Sequence, residues 1–154
     1  MNFNTYLNHQ MAEDRRAFLV HFSAKSGKTQ FARRISQVRS DVYYLDLQSY
    51  FLENADLPPT GDCDVDTLKK LLLGLKVTQP VIVVDNPDFL FNTWDRSQKN
   101  EFLQWINKAL RSPAHTQKTF AFFFQDDPVI LSATFDKNAQ HEPRILSLNS
   151  FDSL

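Results

Sequence analysis

Three apolar runs in this chain carry no polar alternation: Phe18-Leu19-Val20, Val81-Ile82-Val83-Val84 and Phe120-Ala121-Phe122-Phe123-Phe124. A strand with one wet face alternates polar and apolar residues. Unbroken runs of this kind suit strands covered on both faces, as in a parallel sheet between two helical layers. The same logic extends to five predicted strands, at Ala17 to Phe22, Val42 to Asp46, Pro80 to Asp85, Thr119 to Gln125 and Arg144 to Leu148.

The segments between them have helical spacing. Asn2 to Asp14 places Tyr6, Leu7 and Met11 on one side, and Lys28 to Arg39 does the same with Phe31, Ile35 and Val38. Asp64 caps a third helix with a stripe of Leu68, Leu71, Leu72 and Leu75. Asp95 and Gln98 form a capping pair ahead of Phe102, Trp105, Ile106, Ala109 and Leu110, and Val129 to Thr134 makes a short helix or turn. Gln48 to Ala55 is ambiguous, and the Pro-Pro-Thr-Gly run within Leu57 to Asp62 is a loop. Strands alternating with helices predict an α/β fold, a three-layer sandwich around a mostly parallel five-stranded sheet, as one domain over residues 1–154.

Composition narrows the function classes. The net charge is −1, so no general basic surface advertises nucleic acid; Arg33, Arg34 and Arg39 read as a solvated helix face, and direct DNA contact is left open. The single cysteine, Cys63, excludes an internal disulfide, and its neighbours Asp62 and Asp64 disfavour a reactive thiolate. The first fourteen residues lack an apolar signal segment, and no run reaches membrane-spanning length, so a cytoplasmic protein without a membrane partner is expected.

The chemistry concentrates where the first strand meets the first helix. Phe22-Ser23-Ala24-Lys25-Ser26-Gly27-Lys28-Thr29 aligns without a gap to the phosphate-loop pattern G-x-x-x-x-G-K-[ST]. Backbone N–H groups at a helix N-terminus attract phosphate oxygens, with the helix dipole behind them. Here the amides of Ala24, Lys25, Ser26, Gly27 and Lys28 are the candidate cradle. Lys28 is the candidate for the outer phosphates, and Thr29 the magnesium ligand. ATP and Mg2+ are therefore the expected cofactors. The first glycine of the pattern is replaced by Phe22, where glycine would adopt the strand exit more cheaply, and Lys25 adds a second charge.

A phosphate loop needs an acid to position magnesium, and Asp85, ending the Val81–Val84 run, supplies one. Loop, intervening strand Val42 to Asp46, and acid strand follow an order that resembles the additional-strand branch of phosphate-loop NTPases, which includes AAA+ and RecA-like proteins. That resemblance implies a nucleotide-binding core, here without a helical lid. It places Asn86 where a catalytic glutamate usually follows the aspartate, and a neutral amide can orient water but cannot act as base. Asp88 and Asp46 are alternative acids. The resemblance also puts Gln125, at the end of the fourth strand, in contact with the γ-phosphate or the attacking water. Arg96 and Arg111 are the candidates for an arginine acting in trans.

In size and motif order the chain is also similar to the family of small phosphate-loop proteins encoded in type 3 BREX phage-defence systems. This implies an accessory component of a multi-protein assembly, with a larger BREX ATPase among its partners. Three functions stay open: a nucleotide-dependent switch or weak ATPase, alone or as an oligomer; an interaction module with a degenerate nucleotide site; and a small-molecule kinase. The kinase is disfavoured because the segment Phe135 to Arg144, where a lid would lie, holds only Arg144 and Lys137 as cations.

Overall fold

A computed structural model describes the chain apart from residues 24–26 and residue 113, with the side chains of residues 28 and 29 also left aside. Its elements run α1 (Phe3–Met11), β1 (Phe18–Phe22), α2 (Lys28–Val38), β2 (Val42–Asp46), α3 (Leu47–Glu53), α4 (Val65–Leu73), β3 (Val81–Asp85), α5 (Asp88–Phe91), α6 (Arg96–Gln104), β4 (Thr119–Gln125), α7 (Pro128–Ser132) and β5 (Ile145–Ser147). The described residues form one five-stranded sheet in the order β2-β3-β4-β1-β5. Every pairing is parallel, including β5, so the sheet is wholly rather than mostly parallel.

The unbroken apolar runs are buried on both faces, as their composition requires. Phe18, Val20 and Phe22 of β1, with Val81, Val83, Ala121 and Phe123, face α1 and α2. Leu19, Ile82, Val84, Phe120, Phe122 and Phe124 face α4, α5 and α6. The first layer closes on an aromatic cluster: Phe3 meets Phe31 edge-on at 5.4 Å, and Phe151 edge-on at 5.0 Å. Such pairs contribute about 0.5–1.5 kcal/mol beyond their buried area.

Helix starts obey local chemistry. Asn2, Asp46, Asp64 and Asp127 each accept a backbone N–H at the head of α1, α3, α4 and α7. Asp95 and Gln98 form the full reciprocal capping box of α6. The ambiguous 48–55 segment is therefore helical up to Glu53, in a helix that starts at Leu47 because Asp46 at the strand end doubles as its cap.

Two packing expectations and one helix boundary change. Val38 is 55% exposed at the end of α2, and Ala32 takes the buried place beside Ile35. Leu75 packs against the core as expected, but from beyond α4, which ends at Leu73 where the Gly74 N–H turns back to Lys70 O. Ala109 is exposed because α6 continues into a π turn, Trp105–Ala109, closed by Leu110 N–H to Trp105 O at 2.9 Å. The wider turn rotates the face and brings Asn107 inside instead.

Asn107 has a reason to be there. Arg144 is 1% exposed and donates to Ala17 O (2.9 and 3.2 Å), Asn107 Oδ1 (3.1 Å), Asp136 O (3.1 Å) and Asn107 O (3.1 Å). Burial pulls its pKa below the ordinary arginine value. The residue just before β5 is thus a structural clasp, and not part of a mobile lid.

Candidate functional site

In a parallel sheet all strands end at one edge, and ligands of open α/β folds bind in crevices outside that edge. Gly27, Asp85, Asn86 and Gln125 all lie there. Asp46 pairs with Asp85, and Phe22 with Gln125, so the ends of β2 and β3 and those of β1 and β4 are level. β4 stands between β1 and β3, placing Gln125 between the loop strand and the acid strand.

Gly27 has φ 77° and is the N-cap of α2, where it offers no side chain of its own to cap the helix. This left-handed conformation is cheap only for glycine. It turns the chain from the loop into α2, whose first residues, Lys28 and Thr29, follow directly. The cradle expected at Ala24, Lys25 and Ser26, and the side-chain roles expected of Lys28 and Thr29, lie outside the described residues.

Phe22 differs from expectation in an informative way. It is the last residue of β1, paired with Gln125, and its ring is buried in the α1–α2 layer. Its φ is not positive, so its backbone does not call for glycine. Its carbonyl accepts from Asp126 N–H at 2.8 Å, which fastens β1 to β4 where the loop departs.

Asp85 is completely buried. It shares a sheet face with Val83, the face toward α2. Its Oδ1 accepts from Asn86 N–H at 3.0 Å and its Oδ2 from the Tyr44 hydroxyl at 2.5 Å. Tyr44 sits opposite Val83 on β2, so its reach to Asp85 is diagonal, within the range of a long side chain. Burial first, and then the bond to Asp85, push the Tyr44 phenol well above its ordinary pKa, so it remains a donor. Arg33 of α2 lies over the Tyr44 ring, 5.8 Å from its centre. Its contact with the Tyr44 hydroxyl, with Asp46 and Asp85 nearby, raises its pKa further.

Asn86 takes a left-handed φ of 56°, which asparagine tolerates better than most residues. Burial works against the charge of Asp46, but bonds from the Asn86 side chain and from Ser49 and Gln48 hold its carboxyl below the usual value. Asn86 therefore bridges the two strand-end acids, through its amide N–H to Asp85 and its side chain to Asp46. Gln125 is exposed, and its N–H donates to Asp88 Oδ1 at 2.8 Å. Asp88 itself opens α5, so it braces the end of β4.

Sequence reasoning missed Tyr44 and Arg33. Alternation already placed Tyr44 on the same face as Asp46, and Arg33 stands four residues after Thr29, on the same side of α2. The other arginines separate: Arg96 opens α6, while Arg111 lies with Arg15 and Lys137 at the opposite, amino-terminal edge of the sheet. Cys63 is buried, and burial with Asp64 pushes its thiol up to about 11, in keeping with an unreactive cysteine.

Magnesium prefers hard oxygen ligands and keeps much of its shell for water and phosphate, so one or two protein ligands suffice. A buried carboxylate on the face toward α2 fits that demand. Among the described residues no three His, Cys, Asp or Glu side chains gather to hold a metal by themselves. None of the described helices is long and apolar enough to cross a membrane. Compared with family models, curated proteins and solved structures, the chain finds no match, so its functional reading rests on the residues themselves.

Proposed function

We propose that this chain binds the phosphates of ATP with Mg2+ at the carboxyl edge of its sheet and acts as a nucleotide-dependent switch or slow ATPase. One observation carries the reading. A left-handed glycine starts α2 directly after β1 and its loop, and a fully buried aspartate ends β3 on the face toward α2. In this arrangement the α2 N-terminus and Lys28 attract the phosphates, Asp85 and Thr29 hold the cation, and Gln125 lies at the γ-phosphate end. Bound magnesium supplies charge neutralisation of the phosphate oxygens.

Slow turnover follows from Asn86. Its side chain is engaged with Asp46, and an amide is no general base. The accessory role in a multi-protein assembly, with a larger ATPase of a phage-defence system as partner, belongs to the same proposal; mixing purified partner and chain is expected to raise turnover. A degenerate interaction module is the second reading, favoured by Asn86, a neutral amide where a general base would stand. A small-molecule kinase loses support, since Arg144 is locked inside the fold.

Calorimetry with ATP, ADP and GTP, with and without magnesium, tests the reading on the wild type and Lys28→Ala. Binding in the wild type that weakens at least about tenfold in Lys28→Ala is expected, about 1.4 kcal/mol. Absence of nucleotide binding in the wild type leaves the interaction module. A rate of several turnovers per second from the pure chain would contradict the switch.

A further inference from the structure

The contacts around Asp85 do more than satisfy a buried carboxylate. Among the described contacts, the Asn86 N–H reaches Asp85 Oδ1 and the Tyr44 O–H reaches Oδ2, so the carboxylate plane is held from two sides. Both of these donors are neutral, and they orient the group without adding a positive charge of their own. Tyr44 is only half-buried, and a hydroxyl there could have been left to water. Instead its proton is committed to an acid on the neighbouring strand.

The position of Tyr44 is itself held from α2. Arg33 lies over its ring, and the guanidinium is also close to Asp46 and Asp85. Arg33 follows Thr29 by one helical turn, so the helix that begins at Gly27 reaches the acid strand through Arg33 and then Tyr44. Partners that orient a metal ligand through hydrogen bonds tune metal affinity although they never touch the ion.

We propose that Tyr44 is a positioning residue that presents Asp85 to a divalent cation at the nucleotide phosphates, with Arg33 setting Tyr44 from α2. The proposal rests on the nucleotide reading above and assigns the metal dependence of that site to a contact between β2 and β3. It separates two properties that are usually lost together: affinity for the nucleotide, carried by the loop and α2, and the gain in affinity that magnesium confers.

The test is calorimetric titration of ADP into the wild type, Tyr44→Phe and Arg33→Gln, each with no divalent ion, with Mg2+ and with Mn2+. Phenylalanine keeps the ring and removes only the hydroxyl; Arg33 is at the surface, so its replacement leaves the core intact. Tyr44→Phe is expected to keep its metal-free affinity for ADP while the gain conferred by Mg2+ falls about tenfold or more. Arg33→Gln is expected to lose part of that gain. An undiminished Mg2+ gain in Tyr44→Phe overturns the proposal and leaves the nucleotide reading standing. Equal losses with and without metal also overturn it, since they mark a purely structural residue. An unaltered gain in Arg33→Gln overturns the Arg33 link. If wild-type protein binds no ADP under any condition, both the proposal and the nucleotide reading fall.

Discussion

At the scale of single residues, two positions carry unusual physical demands. Gly27 is held at a φ that L side chains avoid, yet a Cβ built there would meet nothing within 4 Å among the described residues. Gly27→Ala is therefore expected to cost about 1–2 kcal/mol from backbone strain alone, with no added steric penalty, as read from urea unfolding. Arg144 is the opposite case, because its value is entirely in its contacts. Replacing it with methionine fills much of the space but orphans the acceptors of Ala17, Asn107 and Asp136. A loss of about 3–5 kcal/mol is expected, from acceptors worth about 1–3 kcal/mol each when left unpaired, only partly re-satisfied by relaxation. A variant as stable as the wild type in the same urea experiment would contradict the clasp.

Among the elements, the starts were more legible than the ends. A cap is a local bargain between one side chain and one or two backbone amides, so Asp64 and Asp95 announced their helices in the sequence. Asp95→Ala is expected to lower stability by about 1 kcal/mol, measured as a shift in the urea midpoint at constant slope. The strands were legible because unbroken apolar runs admit few placements. What escaped was set at a distance. The π turn after α6 answers to a buried guanidinium from the other end of the chain, which no local spacing announces. In the candidate site, the Gly-Lys-Thr motif and Asp85 were visible as types of residue in sequence order. Tyr44 and Arg33 were not, because their meaning depends on β2 lying beside β3 and α2 lying over both. Phe22 shows the converse. The pattern marked it as a defect, whereas in the fold it is an ordinary strand residue in an aromatic layer.

The molecule as a whole should be more sensitive to alkali than its near-neutral charge suggests. Burial raises the pKa of Cys63 to about 11 from an ordinary value near 9, and it raises that of Tyr6 as well. A raised folded-state pKa means that the folded state holds its proton more tightly than the unfolded chain. The stability linked to it is complete below the unfolded value and is lost as pH climbs toward the folded one. Unfolding free energy is thus expected to decline between about pH 9 and pH 11, and Cys63→Ala should flatten part of that decline. Identical slopes in the wild type and Cys63→Ala would refute the assignment to the thiol.

The strand order has a consequence in time as well as in space. β1 leaves the ribosome well before β4 and β5, its neighbours in the sheet, with Phe18 paired to a residue more than a hundred positions further on. Its unbroken apolar run must wait, unpaired, until residues 119–125 emerge, while β2 and β3 can join as soon as both exist. Pairings this distant in sequence slow folding and leave apolar surface exposed meanwhile. The nascent chain is therefore most vulnerable to aggregation in the interval before residue 125 emerges, and the strand that launches the candidate phosphate loop is among the last to find its place.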